Sequence, residues 1–196
     1  MWNDRYAGDD YVYGTEPNTF LRDSIGRLPP GSAMCLADGE GRNSVFLAAN
    51  GWDTHSVDLA ATGVAKALRL ADQRGVRLTA SVADLADYDL GEQRWDAIVS
   101  IFAHMPPAVR ADLHRRVVHA LKPGGVLLLE AYTPDQIGRG TGGPQSAELT
   151  MTLAALRDEL PGLDFEHAWE GLRDVVEGEL HTGTPAVVQV IARRPG

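Results

Sequence analysis

Two hydrophobic patterns alternate along this chain. The run "SAMCLA" (Ser32 to Ala37) follows the breaker "LPPG" and is apolar at nearly every position, as a strand covered on both faces would be. Asn43 to Asn50 then predicts a helix with Val45, Phe46 and Ala49 able to share one face. After the turn glycine of "GWDTHSVDL", Thr54 to Val57 predicts a second strand. Ala61 to Arg74 sets Val64, Leu68 and Ala71 at helical spacing, and Gly75 stands where a helix-ending glycine belongs. "VRLTASVAD" predicts a third strand, and Trp95 to Phe102 a fourth with an apolar centre.

Pro106 and Pro107 open a further helix whose stripe is Val109, Leu113, Val117 and Leu121. It stops at "KPGG", and "VLLLEAY" follows as a buried strand. Leu149 to Leu160 predicts another helix, and the tail holds two strand-like runs, around Leu163 to Val176 and Ala186 to Ala192, joined by "EGELHTGTP". Adjacent strands with no helix between them pair antiparallel. The whole pattern predicts an α/β fold: a Rossmann-like, doubly wound, mostly parallel seven-stranded sheet with a C-terminal antiparallel hairpin.

Composition narrows the partners. The 196 residues carry a formal net charge of −9 with no run of Lys or Arg, which disfavours nucleic acid. There is one cysteine, so no disulfide can form within the chain. No apolar stretch is long enough to span a bilayer, and the polar, acidic start "MWNDRYAGDD" is unlike a secretory signal. A cytoplasmic protein of one domain, 1–196, without membrane attachment is expected.

In such a sheet, ligands bind at the carboxyl ends of the strands. The loop after the first strand, "ADGEGRNSVFLA", offers Gly39 and Gly41 for a tight turn and close backbone approach. A dinucleotide fingerprint would place a third glycine where Ser44 stands, and an ordinary turn before a helix competes with any binding role. Asp58 ends the second strand at the distance from Gly39 where an acid accepts ribose hydroxyls; Asp84 ends the third, in reach of an adenine amino group. Capping of the next helix is the competing role for either acid. Three acidic strand ends lie side by side on one edge. A pyrophosphate about 5 Å from Asp38 or Glu40 would be opposed by roughly 3 kcal/mol at an effective dielectric of 20. The ammonium and sulfonium of S-adenosylmethionine would not be, and the helix start suits its carboxylate.

Together these residues resemble the class I S-adenosylmethionine-dependent methyltransferases, with most likeness to the bacterial tellurite-resistance methyltransferases and the thiopurine S-methyltransferase group. The segments carrying the resemblance are "CLADGEGRNSVFLAANGWDTHSVD", "VADLADYDL", "WDAIVSIFAHMPP" and "LKPGGVLLLEAY". "WNDRYAGDDYVYGTEPNTFL" looks like the N-terminal segment that closes over the cofactor, which implies a lid over 1–30 and a core over 31–196. The usual motif Asp-x-Gly-x-Gly-x-Gly falls on Cys35, Ala37, Gly39 and Gly41, so its leading acid and first glycine are replaced. Asp38, Glu40 or a backbone carbonyl then takes the methionine ammonium, with Asp38 favoured. The resemblance further implies Asp58, with Leu59, on the ribose, Asp84 and Leu85 on adenine, and Ser100 and Ile101 beside the methionine. Asn43 joins the glycine loop in this cofactor-binding set.

Methyl transfer from a sulfonium is an in-line displacement that needs positioning more than a protein nucleophile. Trp2, Tyr6, Tyr11 and Tyr13 supply aromatic faces for the cation, or pin the segment to the core. His104, in "IFAHMPP", and Tyr132 are the candidate catalytic groups, His104 as a base for a thiol or as a loop-bracing residue. Phe102, His104, Thr141 of the glycine-rich loop Gly138 to Pro144, Arg173 and His181 are the candidate acceptor-site residues. His114 and His119 lie on a helix and are read as solvated, and Cys35 as a small buried hydrophobe. No cluster has metal-site spacing, so no metal is expected. A small-molecule methyl acceptor is expected, with a soft nucleophile (a thiol, sulfide, or tellurium or selenium oxyanion) implied by the resemblance alone. The alternatives are a non-catalytic S-adenosylmethionine-binding protein, an NAD-dependent oxidoreductase and a macromolecular methyltransferase. Monomer and homodimer both remain open.

Overall fold

A computed structural model describes residues 2–177 and 182–196. The chain begins with α1 (Trp2–Arg5), α2 (Thr19–Ser24) and a 3-10 turn. It continues as β1 (Ser32–Leu36), α3 (Arg42–Ala49), β2 (Asp53–Asp58), α4 (Ala61–Gln73), β3 (Thr79–Val82), β4 (Trp95–Ile101), α5 (Pro107–Ala120) and β5 (Leu121–Tyr132). Then come α6 (Leu153–Glu159), β6 (Asp164–Leu172), the short β7 (Val175–Val176) and β8 (Thr182–Gly183), and β9 (Ala186–Arg193).

Seven strands form one sheet in the order β3-β2-β1-β4-β5-β9-β6. β1 to β5 run parallel, and β9 lies antiparallel to both β5 and β6. This is the doubly wound architecture with antiparallel C-terminal strands that the pattern predicts; β7 and β8 form a separate small pair. The continuous apolar strands are explained by two cores. Met34, Leu36, Ile98, Leu127 and Leu129 pack on one face with Leu113, Val117 and Leu156 of the helices. The alternate residues Ala33, Cys35, Ala97, Val99 and Leu128 pack on the other with Leu21 and Leu47.

Several local expectations shift. Ala49 is exposed, and α3 buries Asn43, Ser44, Val45 and Leu47 instead, because its N-terminal half is covered all round. Leu68 is 44% exposed; the buried stripe of α4 is Val64, Ala67, Leu70 and Ala71. α6 starts at Leu153, not Leu149, because the Thr152 side chain accepts the Ala155 N–H and caps the helix there. β5 starts at Leu121, earlier than expected, and its pairing with β4 slips near Trp95 to absorb "KPGG". His114 is buried and bonded to Glu159, not solvated. Among the described residues, no helix is long and apolar enough to cross a membrane.

The topology reverses between β1 and β4, where the last residue of β1, Leu36, is in register with Ser100, one residue before the end of β4. That is the switch point where an open α/β sheet leaves a crevice.

Candidate active site

The backbone is strained at this switch. Ala37, just past β1, has φ 48°, and Phe102, just past β4, has φ 53°. Non-glycine residues rarely adopt this left-handed region, and such strain gathers at functional edges. Asp38 and Gly41 close a turn, with the Gly41 N–H donating to the Asp38 carbonyl at 3.2 Å. Gly39 and Gly41 both have positive φ. Their missing side chains serve protein packing: a Cβ on Gly41 would lie 2.5 Å from the Ala67 Cβ, and one on Gly39 would lie 2.8 Å from the Tyr6 hydroxyl. The first glycine lies under the N-terminal segment and the second admits α4 against α3.

The acids of the loop differ sharply. Asp38 accepts a short hydrogen bond from the Ser44 hydroxyl on Oδ2, while Oδ1 is buried and has no partner among the described residues. Burial pushes its carboxyl up to about 7, against the pull of Ser44; nearby Asp58 adds to the rise. Glu40, by contrast, forms a buried ion pair with Lys66 at 2.8 Å. The Lys66 ammonium also donates to the Asp10 carbonyl at 2.7 Å, Tyr11 donates to the Lys66 carbonyl, and the Tyr13 N–H reaches Glu40 at 3.4 Å. Glu40 therefore fastens residues 10–13 over the loop, and its charge is neutralised there.

Asp58 accepts the Gly39 and Ala60 N–H groups, each at 2.8 Å, so it braces the glycine turn and keeps further lone pairs for a ligand. Burial raises its pKa. Tyr6 packs over this region, stacked on Trp2 with ring centroids 5.8 Å apart and edge-on to Tyr13 at 6.4 Å. Burial and the neighbouring Asp58 raise the Tyr6 phenol far above its ordinary value. Further along the edge, Leu59 is exposed and Leu85 buried. Asp84 is exposed, and its Oδ1 accepts the Ala86 N–H, the local capping alternative to adenine contact. Ser100 and Ile101 are buried at the end of β4. Asn43 is buried and accepts the Asn18 N–H at 2.9 Å.

On the other half of the edge, Phe102, His104 and Tyr132 form an aromatic stack; Phe102 and Tyr132 have centroids 4.6 Å apart, His104 and Tyr132 5.4 Å. His104 uses both ring nitrogens on backbone: Nδ1 lies 2.8 Å from the Leu149 carbonyl, and Nε2 accepts the Tyr132 N–H at 3.3 Å. That pattern fixes the tautomer with hydrogen on Nδ1. Burial lowers its pKa to about 4, so the ring is neutral at pH 7. Burial also raises the Tyr132 phenol, which reaches the Thr141 carbonyl at 3.4 Å. Gly143 packs against the Tyr132 ring, and Gln136 donates to the Thr141 hydroxyl, so this loop covers the stack.

Behind the stack lies a buried polar network absent from the sequence expectations, Arg173 excepted. Glu130, fully buried at the end of β5, accepts from Asn18, from two nitrogens of Arg173 and from Gln189. Glu177 pairs with Arg42 at 2.7 Å and with Arg173 at 3.1 Å, and accepts from Asn18 and Thr19. Burial opposes the charge of Glu177, but Arg42, the Thr19 N–H and Arg173 outweigh it and hold the carboxyl at about 2. A visible signal existed in Glu130, a lone charge inside "VLLLEAY". His181 lies outside the described residues. Among the described residues, no group of three His, Cys, Asp or Glu side chains is set to hold a metal.

Residues 33–125 match the family model described as a methyltransferase domain. A curated relative, Hemagglutinin 1 of Eikenella corrodens, is 28% identical over 120 residues, 59% of this chain; the chain spans only 39% of that relative. One solved structure, described by the conversion of a disulfide bond into a thioacetal group during echinomycin biosynthesis, aligns with TM-score 0.75 and 22% identity. It covers 97% of this chain and 86% of its own. TehB from Haemophilus influenzae also gives TM-score 0.75, at 16% identity, over 98% of this chain and 65% of that one. Phosphoethanolamine N-methyltransferase 2 of Haemonchus contortus, in complex with S-adenosyl-L-methionine, gives 0.67 at 16% identity over 100% of this chain and 56% of that one. The domain match covers 33–125 and these solved structures share the fold; the group that the sequence resemblance implies for such a site is S-adenosylmethionine. The residues fit that group: the buried, unpartnered Asp38 Oδ1 is an anionic acceptor beside the glycine turn, suited to an ammonium.

Proposed function

We propose that the chain methylates a small molecule at a soft nucleophilic centre: a thiol, a sulfide, or a selenium or tellurium oxyanion. The observation that carries the methyltransferase part is the orphaned Asp38 oxygen beside a carboxylate-braced glycine turn. When bound, S-adenosylmethionine supplies an electrophilic methyl group on a cationic sulfur. Asp38 holds the ammonium of its tail, Asp58 the ribose hydroxyls, and Tyr6, fastened through the Glu40–Lys66 latch, keeps water from the cleft.

The soft acceptor is supported by the state of the aromatic stack. His104 spends both nitrogens on backbone and is held neutral, and the Tyr132 phenol is pushed away from ionisation. The acceptor therefore brings its own nucleophilic lone pair, as a thiolate or oxyanion does. Phe102 and Tyr132 wall its path and hold it in line with the methyl group. The likeness to the tellurite-resistance and thiopurine group points the same way, and sulfur is the centre named for the first structural relative. The test measures formation of S-adenosylhomocysteine with a panel of thiols, sulfide, selenite, tellurite, amines and phenols. Turnover with the soft members is expected; turnover confined to amines or phenols overturns the acceptor class, and absence of binding to S-adenosylhomocysteine at millimolar concentration overturns the whole proposal.

A further inference from the structure

Arg42 is the first residue of α3, directly after the Asp38–Gly41 turn. Its side chain is buried, 7% exposed, yet its two terminal nitrogens are treated unequally. Nη2 pairs with Glu177 at 2.7 Å, while Nη1 is buried with no partner among the described residues. A buried guanidinium nitrogen left bare costs free energy that a ligand acceptor would recover. The other orphan at this turn is Asp38 Oδ1. One short turn is thus flanked by an unpartnered anionic oxygen and an unpartnered cationic nitrogen, the complement of an amino acid zwitterion.

The partner on the far side of Arg42 matters as much. Glu177 accepts from Asn18 and from the Thr19 N–H in the N-terminal segment, and pairs with Arg173 next to the β7–β8 pair. A guanidinium is a rigid planar fork, so fixing one edge constrains the direction of the other. We propose that Arg42 is a two-sided positioning residue: Nη1 takes the carboxylate of the cofactor's amino acid tail and Nη2 holds Glu177, so that loading the tail fixes the N-terminal segment and the 173–177 segment around the acceptor space. This rests on the methyltransferase proposal above. The acceptor side is completed only after the cofactor is in place, which sets the order of binding.

Hydrogen exchange of the wild-type protein tests it with S-adenosylhomocysteine and with its analogue lacking only the carboxylate. S-Adenosylhomocysteine is expected to slow exchange at least tenfold at 18–19 and 173–177, and the decarboxylated analogue to leave those segments near the ligand-free rate. In calorimetry the intact ligand binds at least tenfold tighter than the analogue, and Arg42→Met brings that ratio close to one. Should Arg42→Met not fold, Arg42→Lys keeps a cation beside Glu177 and is expected to retain part of the ratio while losing the exchange response. Equal protection by both ligands, or a ratio that Arg42 variants leave intact, overturns the inference while the methyltransferase proposal stands. Failure of both ligands to bind the wild-type protein overturns both.

Discussion

On the β1–β3 half of the carboxyl edge, Asp38 keeps a buried oxygen without a partner among the described residues; on the β4–β9 half, Glu130 is more deeply buried and is satisfied by Asn18, Arg173 and Gln189. Both are carboxylates at or just past the ends of parallel strands, β1 and β5, with β4 between them. The difference separates two jobs. A filled network holds segments far apart in sequence, here residues 18, 130 and 177, in one geometry. An unfilled buried acceptor is the exception that needs a reason, and the proposed ligand ammonium is that reason. The same contrast recurs within one loop, where Glu40 is latched by Lys66 and Asp38 is not.

The largest expected effect breaks the filled side. Glu130→Ala leaves Glu177 as the one carboxylate paired with Arg42 and Arg173 among the described residues and takes the partner from the Gln189 amide, and should lower unfolding free energy by about 3–5 kcal/mol in urea titrations. A loss under 1 kcal/mol would mean that the network is looser than its distances imply. On the ligand side, Asp58→Ala should weaken S-adenosylhomocysteine at least tenfold, the loss of a charge-assisted bond of about 1.5–3 kcal/mol. The calorimetric Kd decides it, and an unchanged value removes Asp58 from the ribose.

How much of this contrast could be read from the chain follows from sequence distance. The strands were legible because continuous apolar runs such as "VLLLEAY" have few other homes, and the reversal at β1 and β4 follows from their order. Asp38 and Asp58 stood out as strand-end acids. Glu40 could not be told from Asp38, because its partner Lys66 is 26 residues away on α4. The Asn18–Glu177 contact spans 159 residues, beyond any periodicity. Leu68 misled for a smaller reason: α4 presents its 64, 67, 70, 71 stripe inward, and one leucine at helical spacing falls just outside that face.

The next effect sharpens the unfilled side through pH. An ordinary Asp titrates near 3.8, and burial raises Asp38 to about 7. Between those values the native state holds a proton that the unfolded chain has lost, so this group's contribution to stability falls as pH rises from about 4 to about 7 and is level above. Asp38→Asn should flatten that slope in pH-dependent urea melts. Binding has the opposite sign. An ammonium needs the ionised carboxylate, so affinity for S-adenosylhomocysteine should rise between about pH 6 and 8 in the wild type, and Asp38→Asn should lose the rise. A wild-type affinity flat across that window would assign the ammonium elsewhere.

The smallest effect concerns His104, whose two backbone bonds make it part of the filled side despite its place in the aromatic stack. Its ring is neutral from about pH 5 upward, because burial holds the pKa at about 4. It therefore adds no titration to turnover in the physiological range. His104→Asn should cost about 1 kcal/mol of stability, in keeping with a lost hydrogen bond, while the shape of the kcat/KM profile between pH 6 and 9 stays as in the wild type. A base would behave differently: its removal would erase a limb of that profile and leave stability nearly untouched. The pair of measurements thus assigns His104 to the scaffold or to the chemistry, and the occupied nitrogens assign it to the scaffold.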